Sequence, residues 1–218
     1  MATPFEAWEN IIATEVNGAP LPTMIDAVRE AAIEFCAKTR IDARIVAGVD
    51  IEAAYPETAV PDKDPNVFPG SIINVWSTYG RIVPKTKREL EALYPDGWAG
   101  ESVATTYEVK FWHALRPGVV RLVPYVSTDM AAELTIEVAF QPRRNAIACV
   151  DWLYELYAKE IGYGAIGALH THSGAPYAQP ERAASYRGWF EQRMSELADR
   201  GVAGHSKPRH RVAADELS

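Results

Sequence analysis

Glu133-Leu134-Thr135-Ile136-Glu137-Val138-Ala139-Phe140 alternates apolar and polar side chains with a period of two, and the chain beyond Pro142 does not. Leu134, Ile136, Val138 and Phe140 form one face and Glu133, Thr135 and Glu137 the other, the pattern of a half-buried strand. Past Pro142 the apolar positions Ile147, Val150, Tyr154, Tyr157, Ile161, Ala165 and Ala168 recur at three- and four-residue intervals, widened by Leu153 and Leu156. This is one helical stripe, running to a break at Ser173-Gly174-Ala175-Pro176. The change of period marks the end of a β region and a return to helix.

Upstream of that strand, Ile45, Ala47, Val49 and Ile51 alternate with Arg44, Asp50 and Glu52, and Tyr107, Val109 and Phe111 alternate with Glu108 and Lys110. Weaker strands are expected at 71–76 and 119–126, where Pro124 points to an edge or a bulge. Thr86-x-x-Glu89 before Leu90 and Leu93 is a capping box opening a short helix that ends at Pro95-Asp96-Gly97. Residues 4–40 read as helix: Phe5, Trp8, Ile11 and Ile12, a turn at Asn17-Gly18-Ala19-Pro20, then a second helix from about Pro22 with Met24, Val28, Ala31 and Phe35 on one stripe. Downstream, Pro180 suits a first helical turn, with Ala183, Tyr186, Phe190, Met194 and Leu197 inward and Gly201 as a cap. The order predicts an α+β chain. Residues 1–40 and 143–203 make a helical bundle, 41–142 an inserted antiparallel β-sandwich-like domain with one short helix, and 204–218 an extended arm.

Composition limits the function classes. With 48% hydrophobic and 23% charged residues, the 218-residue chain is expected to fold and to bury a core without disulfides. Twenty-two basic against 29 acidic side chains give a net charge of −7, which argues against a protein that grips nucleic acid along a basic face. Cys36 and Cys149 fall in segments that read as helices, lack zinc or redox spacing, and are expected to be buried thiols. The start shows no targeting pattern and no run is long enough for a membrane span, so the chain reads as cytosolic at synthesis.

Chemistry-bearing motifs are sparse. Gly162-x-Gly164-x-x-Gly167 has the letters of a dinucleotide fingerprint, but helical pattern rather than a strand precedes it, so a small-residue face for close helix approach is the better reading. His170-Thr171-His172 could place two imidazoles on zinc if it lay on a strand, and a zinc hydrolase using His170 and His172 is one alternative function. At a helix end the pair reads instead as polar residues of a turn. No nucleophile elbow occurs, and Glu52/Glu57 and Glu133/Glu137 read as solvated faces. No catalysis, cofactor or metal is expected. Trp76, Tyr79, Trp98, Tyr107 and Trp112 offer a second alternative, a carbohydrate- or surface-binding β-sandwich module, unless they fill its core.

Charge is unevenly spread. Residues 1–28 carry Glu6, Glu9, Glu15 and Asp26 with no basic side chain, and residues 41–70 are also acidic. His205, Lys207, Arg209, His210 and Arg211 instead cluster in the last segment, which makes it a candidate docking arm for a partner's groove.

Several of these stretches resemble one family. Leu21-Pro-Thr-Met-Ile-Asp-Ala-Val-Arg-Glu-Ala-Ala-Ile-Glu-Phe-Cys-Ala-Lys-Thr39 is similar to the opening helix of head-to-tail adaptor (connector) proteins of tailed bacteriophages. Asp151-Trp-Leu-Tyr-Glu-Leu-Tyr-Ala-Lys-Glu-Ile161 with Gly164-Ala-Ile-Gly-Ala-Leu169, then Ser173-Gly-Ala-Pro-Tyr177 and a last helix with Tyr186 and Phe190, resemble the family's second half. Tyr79-Gly-Arg-Ile-Val-Pro-Lys-Thr86, Leu90 and Trp98 resemble its middle region, so the likeness runs in order over about residues 20–200. Gly162, where the family has alanine, and His170-Thr-His172 depart from it. The resemblance implies a structural virion protein at the neck. It would form a homo-oligomeric ring of about twelve copies beneath the portal, extend the DNA channel without binding DNA specifically, and receive the tail or a tail-completion protein. It further implies no membrane association, synthesis in the bacterial host cytoplasm, a tail-facing module at 41–142, and a portal-docking arm carrying His205, Lys207, Arg209, His210 and Arg211.

Overall fold

The computed structural model describes residues 2–51, 57–61, 64–95, 104–105, 109–126 and 133–203. Tyr107, Trp98, Glu52 and the arm 204–218 lie outside them.

Among the described residues there are five helices: α1 (Glu9–Ala13) and α2 (Leu21–Thr39) before the strands, α3 (Lys87–Leu93) among them, and α4 (Asp151–His170) and α5 (Pro180–Ala203) after them. In α2 the stripe Met24, Val28, Ala31 and Phe35 is buried, while Asp26 and Arg29 pair on the outer side at 2.7 Å. The helix stops at Arg40, whose φ of 52° turns the chain toward the sheet. The capping box of α3 is formed: Glu89 N–H donates to the Thr86 hydroxyl and the Thr86 N–H to the Glu89 carboxylate. Pro180 opens α5, but Gly201 does not close it, since the helix continues to Ala203.

The amino-terminal segment is less helical than its spacing predicts. Strand β1 (Ala2–Pro4) pairs antiparallel with β11 (Ala148–Val150), and a single 3-10 turn (Phe5–Trp8) leads into the short α1. Cys149 therefore sits on a strand, while Ile147 is 77% exposed rather than part of a helical stripe. Local periodicity could not distinguish three residues of strand from the first turn of α4, because only pairing with the distant β1 stabilises the extended form.

Seven of the other strands form one sheet. They are β2 (Ala43–Asp50), β3 (Glu57–Ala59), β4 (Val67–Ser77), β5 (Gly80–Pro84), β7 (Phe111–Arg116), β8 (Val119–Val123) and β10 (Glu133–Pro142), in the order β2-β10-β4-β5-β7-β8-β3. A separate parallel pair joins β6 (Ala104–Thr105) and β9 (Tyr125–Val126). The seven-stranded sheet is mixed: β5 and β7 run parallel through Val83↔Phe111 and Pro84↔Trp112, and the other neighbours are antiparallel. A parallel pair needs a long crossover, which residues 85–110 with α3 supply. Pro124 lies just past β8, after a cis Val123–Pro124 bond, and not on an edge strand or in a bulge.

The sheet curls toward closure. Its edge strands β2 and β3 are consecutive in the chain, and the segment 51–56 between them can span only about 24 Å when extended. Seven flat strands at about 4.8 Å spacing would hold those edges about 29 Å apart. Val49, Val60, Ile72, Val75, Ile82, Trp112, Val120, Leu122, Leu134, Ile136 and Val138 fill a single core inside the curl. Gly118 ends the tight β7–β8 turn at φ 69°, and a side chain there would fall 2.8 Å from Pro69 Cγ, so both backbone and space require glycine.

The expected fold, a helical bundle with an inserted antiparallel sandwich, is thus overturned. Seven of the strands make one mixed, nearly closed barrel-like sheet, and the helices do not form a self-contained bundle. Helices α1, α2, α4 and α5 pack around a second core containing Trp8, Phe35, Leu153, Ile161 and Phe190, together with Cys149 of β11. The two parts meet where α2 passes into β2. There Asp42 accepts two bonds from Arg44 at 2.8 and 2.7 Å and its carbonyl accepts the Phe140 N–H of β10, while the Arg44 guanidinium lies over the Phe140 ring.

Candidate functional site

The glycines of the false fingerprint are packing devices. A side chain at Gly164 would come within 2.9 Å of the Phe190 ring on α5 and 3.0 Å of Ala31 Cβ on α2. One at Gly162 would meet Ile11 Cγ2 at 2.9 Å, and one at Gly167 the Arg187 backbone nitrogen at 3.2 Å. The small residues bring α1, α2 and α5 close against α4, and no strand delivers the motif to a phosphate site.

His170 and His172 serve the α4–α5 connection. His170 is the last residue of α4 itself, rather than of the turn, and is fully buried. Its Nδ1 lies 2.9 Å from the Tyr177 carbonyl, which can only accept, so this nitrogen carries the proton. Nε2 is left buried without a partner among the described residues. His172 Nδ1 meets the hydroxyl of the same Tyr177 at 3.2 Å. One tyrosine is thus held at its backbone and at its ring by the two histidines, and the imidazoles do not converge on a common point. Among the described residues no group of three His, Cys, Asp or Glu could hold a metal ion.

Charged side chains fasten the helical layer. Arg187 of α5 grips the Glu34 carboxylate of α2 with both terminal nitrogens, one at 2.7 Å, and this hydrogen-bonded contact holds the Glu34 carboxyl below its ordinary range. Arg182 pairs with Glu15 beyond α1, and the Tyr186 hydroxyl, the largest influence on Glu15, lowers its pKa further. The thiols take no part in such contacts: burial pushes Cys36 up and raises Cys149 to about 12.

An open groove of about 340 Å³ runs along α4 and α5, lined by Lys159, Glu160, Tyr163, Trp189, Gln192, Arg193 and Glu196. Its floor is aromatic. The Tyr163 and Trp189 rings lie 5.5 Å apart, and Trp189 stands edge-on to Tyr186 at 5.2 Å. Trp189 is 51% exposed, and Leu156, about two turns before Tyr163 on α4, is 64% exposed. At the polar end, Arg193 bonds Glu160 at 3.1 Å and Glu196 at 3.0 Å, so two carboxylates share one guanidinium, while the Lys159 ammonium lies over the Tyr163 ring.

Sequence reasoning passed over this groove. Leu156 was expected to widen the buried stripe, yet α4 is kinked at Tyr157, whose φ of −133° and ψ of 17° depart from helix, and Leu156 points outward. The available signal was Trp189, a large aromatic adjacent to Phe190 but off the inward stripe of α5. Of the aromatics considered for a binding module, Trp112 is buried in the barrel core, Tyr79 is 67% exposed at the β4–β5 turn, and Trp98 and Tyr107 lie outside the described residues. The arm residues His205, Lys207, Arg209, His210 and Arg211 also lie outside them. No helix among the described residues is long and apolar enough to cross a membrane. Compared with known proteins, the chain matches no family model and no curated protein sequence.

Proposed function

We propose that this chain is a structural protein of a tailed-phage neck, a head-to-tail adaptor that joins a ring of its own copies to the portal and receives the tail. The observation that carries the reading is where the phage-like stretches lie. Leu21–Thr39, Asp151–Leu169, Ser173–Tyr177 and the helix bearing Tyr186 and Phe190 are far apart in sequence, yet they pack on one another through Ala31, Gly164, Tyr177 and Phe190. A shared pattern that coincides with a shared core supports common architecture rather than chance spacing. The net charge of −7 suits a channel wall along which DNA slides, because each basic contact would add affinity that must be broken during passage. In this reading Lys207, Arg209 and Arg211, with His205 and His210, form the arm that docks on the portal, and the barrel faces the tail.

Electron microscopy of portal particles mixed with the protein tests the assignment. An added ring beneath the portal is the expected result, and bare portals at saturating protein overturn it. The arm is tested separately by the full-length Lys207→Glu/Arg209→Glu/Arg211→Glu chain, which should lose portal binding; binding equal to the wild type removes the arm from the interface.

A further inference from the structure

Where α2 gives way to the barrel, the acidic body presents cations instead. Arg40, the left-handed residue that ends α2, and Arg116, the last residue of β7, line one cleft of about 340 Å³ with Ser71 of β4 and Gln141 of β10. Backbone contacts hold these elements together: the Gly118 N–H of the β7–β8 turn donates to the Gly70 carbonyl at 2.9 Å, and β10 pairs with β4 through Gln141↔Phe68. Gly70 keeps the cleft open, since a Cβ there would stand 3.5 Å from Gln141 Oε1 and 3.0 Å from the Ala139 carbonyl oxygen.

The two guanidiniums are uncommitted. Among the described residues neither the Arg40 nor the Arg116 side chain has a hydrogen bond or an ion pair, and no carboxylate lines the cleft. Asp42, two residues beyond Arg40, is held by both bonds from Arg44, and Asp64, which also acts on Arg44, accepts the Asn66 N–H at 2.9 Å. A guanidinium donates through a planar fork and accepts nothing. Two of them, with the Ser71 hydroxyl and the Gln141 amide, offer more donors than the two oxygens of a carboxylate can take, and they match the charge and the oxygens of a phosphate dianion. A nucleic-acid backbone fits less well, because its groups carry a single charge each and its binding takes several contacts along a basic face, which the body of a −7 chain lacks.

We propose that the cleft of Arg40 and Arg116 binds one dianionic phosphate group, either inorganic phosphate or the terminal phosphate of a small ester. The two guanidiniums fork its oxygens, and Ser71 and Gln141 donate to those that remain. The site goes beyond the adaptor reading, and its test contains no portal.

The test titrates the full-length 15N-enriched chain at neutral pH and constant ionic strength, in one arm with inorganic phosphate and in the other with glycerol phosphate. The expected result is a saturable shift of the Gly70, Ser71 and Gln141 amide signals, and the arm that saturates at lower concentration names the source. Arg40→Asn, which suits a left-handed position, and Arg116→Gln should each weaken binding about tenfold or more. Arg88→Gln, an exposed cation of α3 outside the cleft, should leave it unchanged. Absence of a saturable shift in both arms overturns the proposal, as does wild-type affinity in both cleft variants or an equal shift with acetate. A shift of the same amides at lower concentration by duplex DNA without terminal phosphates also overturns it, because that result gives the cleft to a nucleic-acid backbone.

Discussion

Gly164 is one of the residues that let the helical layer close. It lies where α2, α4 and α5 meet, with Phe190 on one side and Ala31 on the other. Helix propensity favours alanine over glycine here by about 1 kcal/mol, but the added methyl would stand 2.9 Å from an aromatic ring that is itself fully buried. Overpacking of that kind costs about 1–3 kcal/mol, so the steric term wins. Gly164→Ala should therefore lower the urea midpoint, while Gly188→Ala, where nothing stands within 4 Å, should raise it or leave it unchanged. Equal midpoints for Gly164→Ala and the wild type would contradict the packing role.

Helix α3 shows how far a local motif can be trusted. The Thr86–Glu89 capping box is legible in four residues because every bond in it is local, and the structure forms it as the spacing predicts. Thr86→Ala should cost about 1 kcal/mol of local stability. The Thr86 N–H, together with Lys85 and the Thr86 hydroxyl, holds the Glu89 carboxyl at about 2 instead of 4.5. A depressed carboxyl favours the folded form when ionised, so its contribution is whole above about pH 4.5 and fades as pH falls toward 2. The NMR secondary shifts of Lys87–Leu93 should lose helical character across that interval in the wild type and show no such titration in Glu89→Gln; identical profiles would exclude the linkage. By contrast, α4 was only partly legible. Its stripe was visible, but hydrophobic spacing encodes neither the departure at Tyr157 nor the exposure of Leu156.

At the scale of the molecule the described residues form two hydrophobic cores, one lined by the barrel and one by the helices. Leu134 is fully buried in the first, so Leu134→Ala should cost about 2–5 kcal/mol. Because the cores are separate, hydrogen exchange should quicken at the amides of β4 and β10 while those of Ile161–Leu169 keep their protection. Uniform loss across both would mean that the joint at Asp42, Arg44 and Phe140 makes them one cooperative unit. The amino-acid sequence by itself determined what is local: the faces of α2 and β10, the cap of α3, the small residues along α4, the acidic body and the basic arm. Tertiary structure alone decided which strands are neighbours, since period two says which side chains turn inward but nothing of the partner across the ladder. It also decided that β2 and β3, adjacent in the chain, occupy opposite edges of a curled sheet, that His170 is buried behind Tyr177, and that Lys159, Tyr163 and Trp189 share a groove. Each of these rests on contacts between residues far apart in sequence, whose energies no local pattern records.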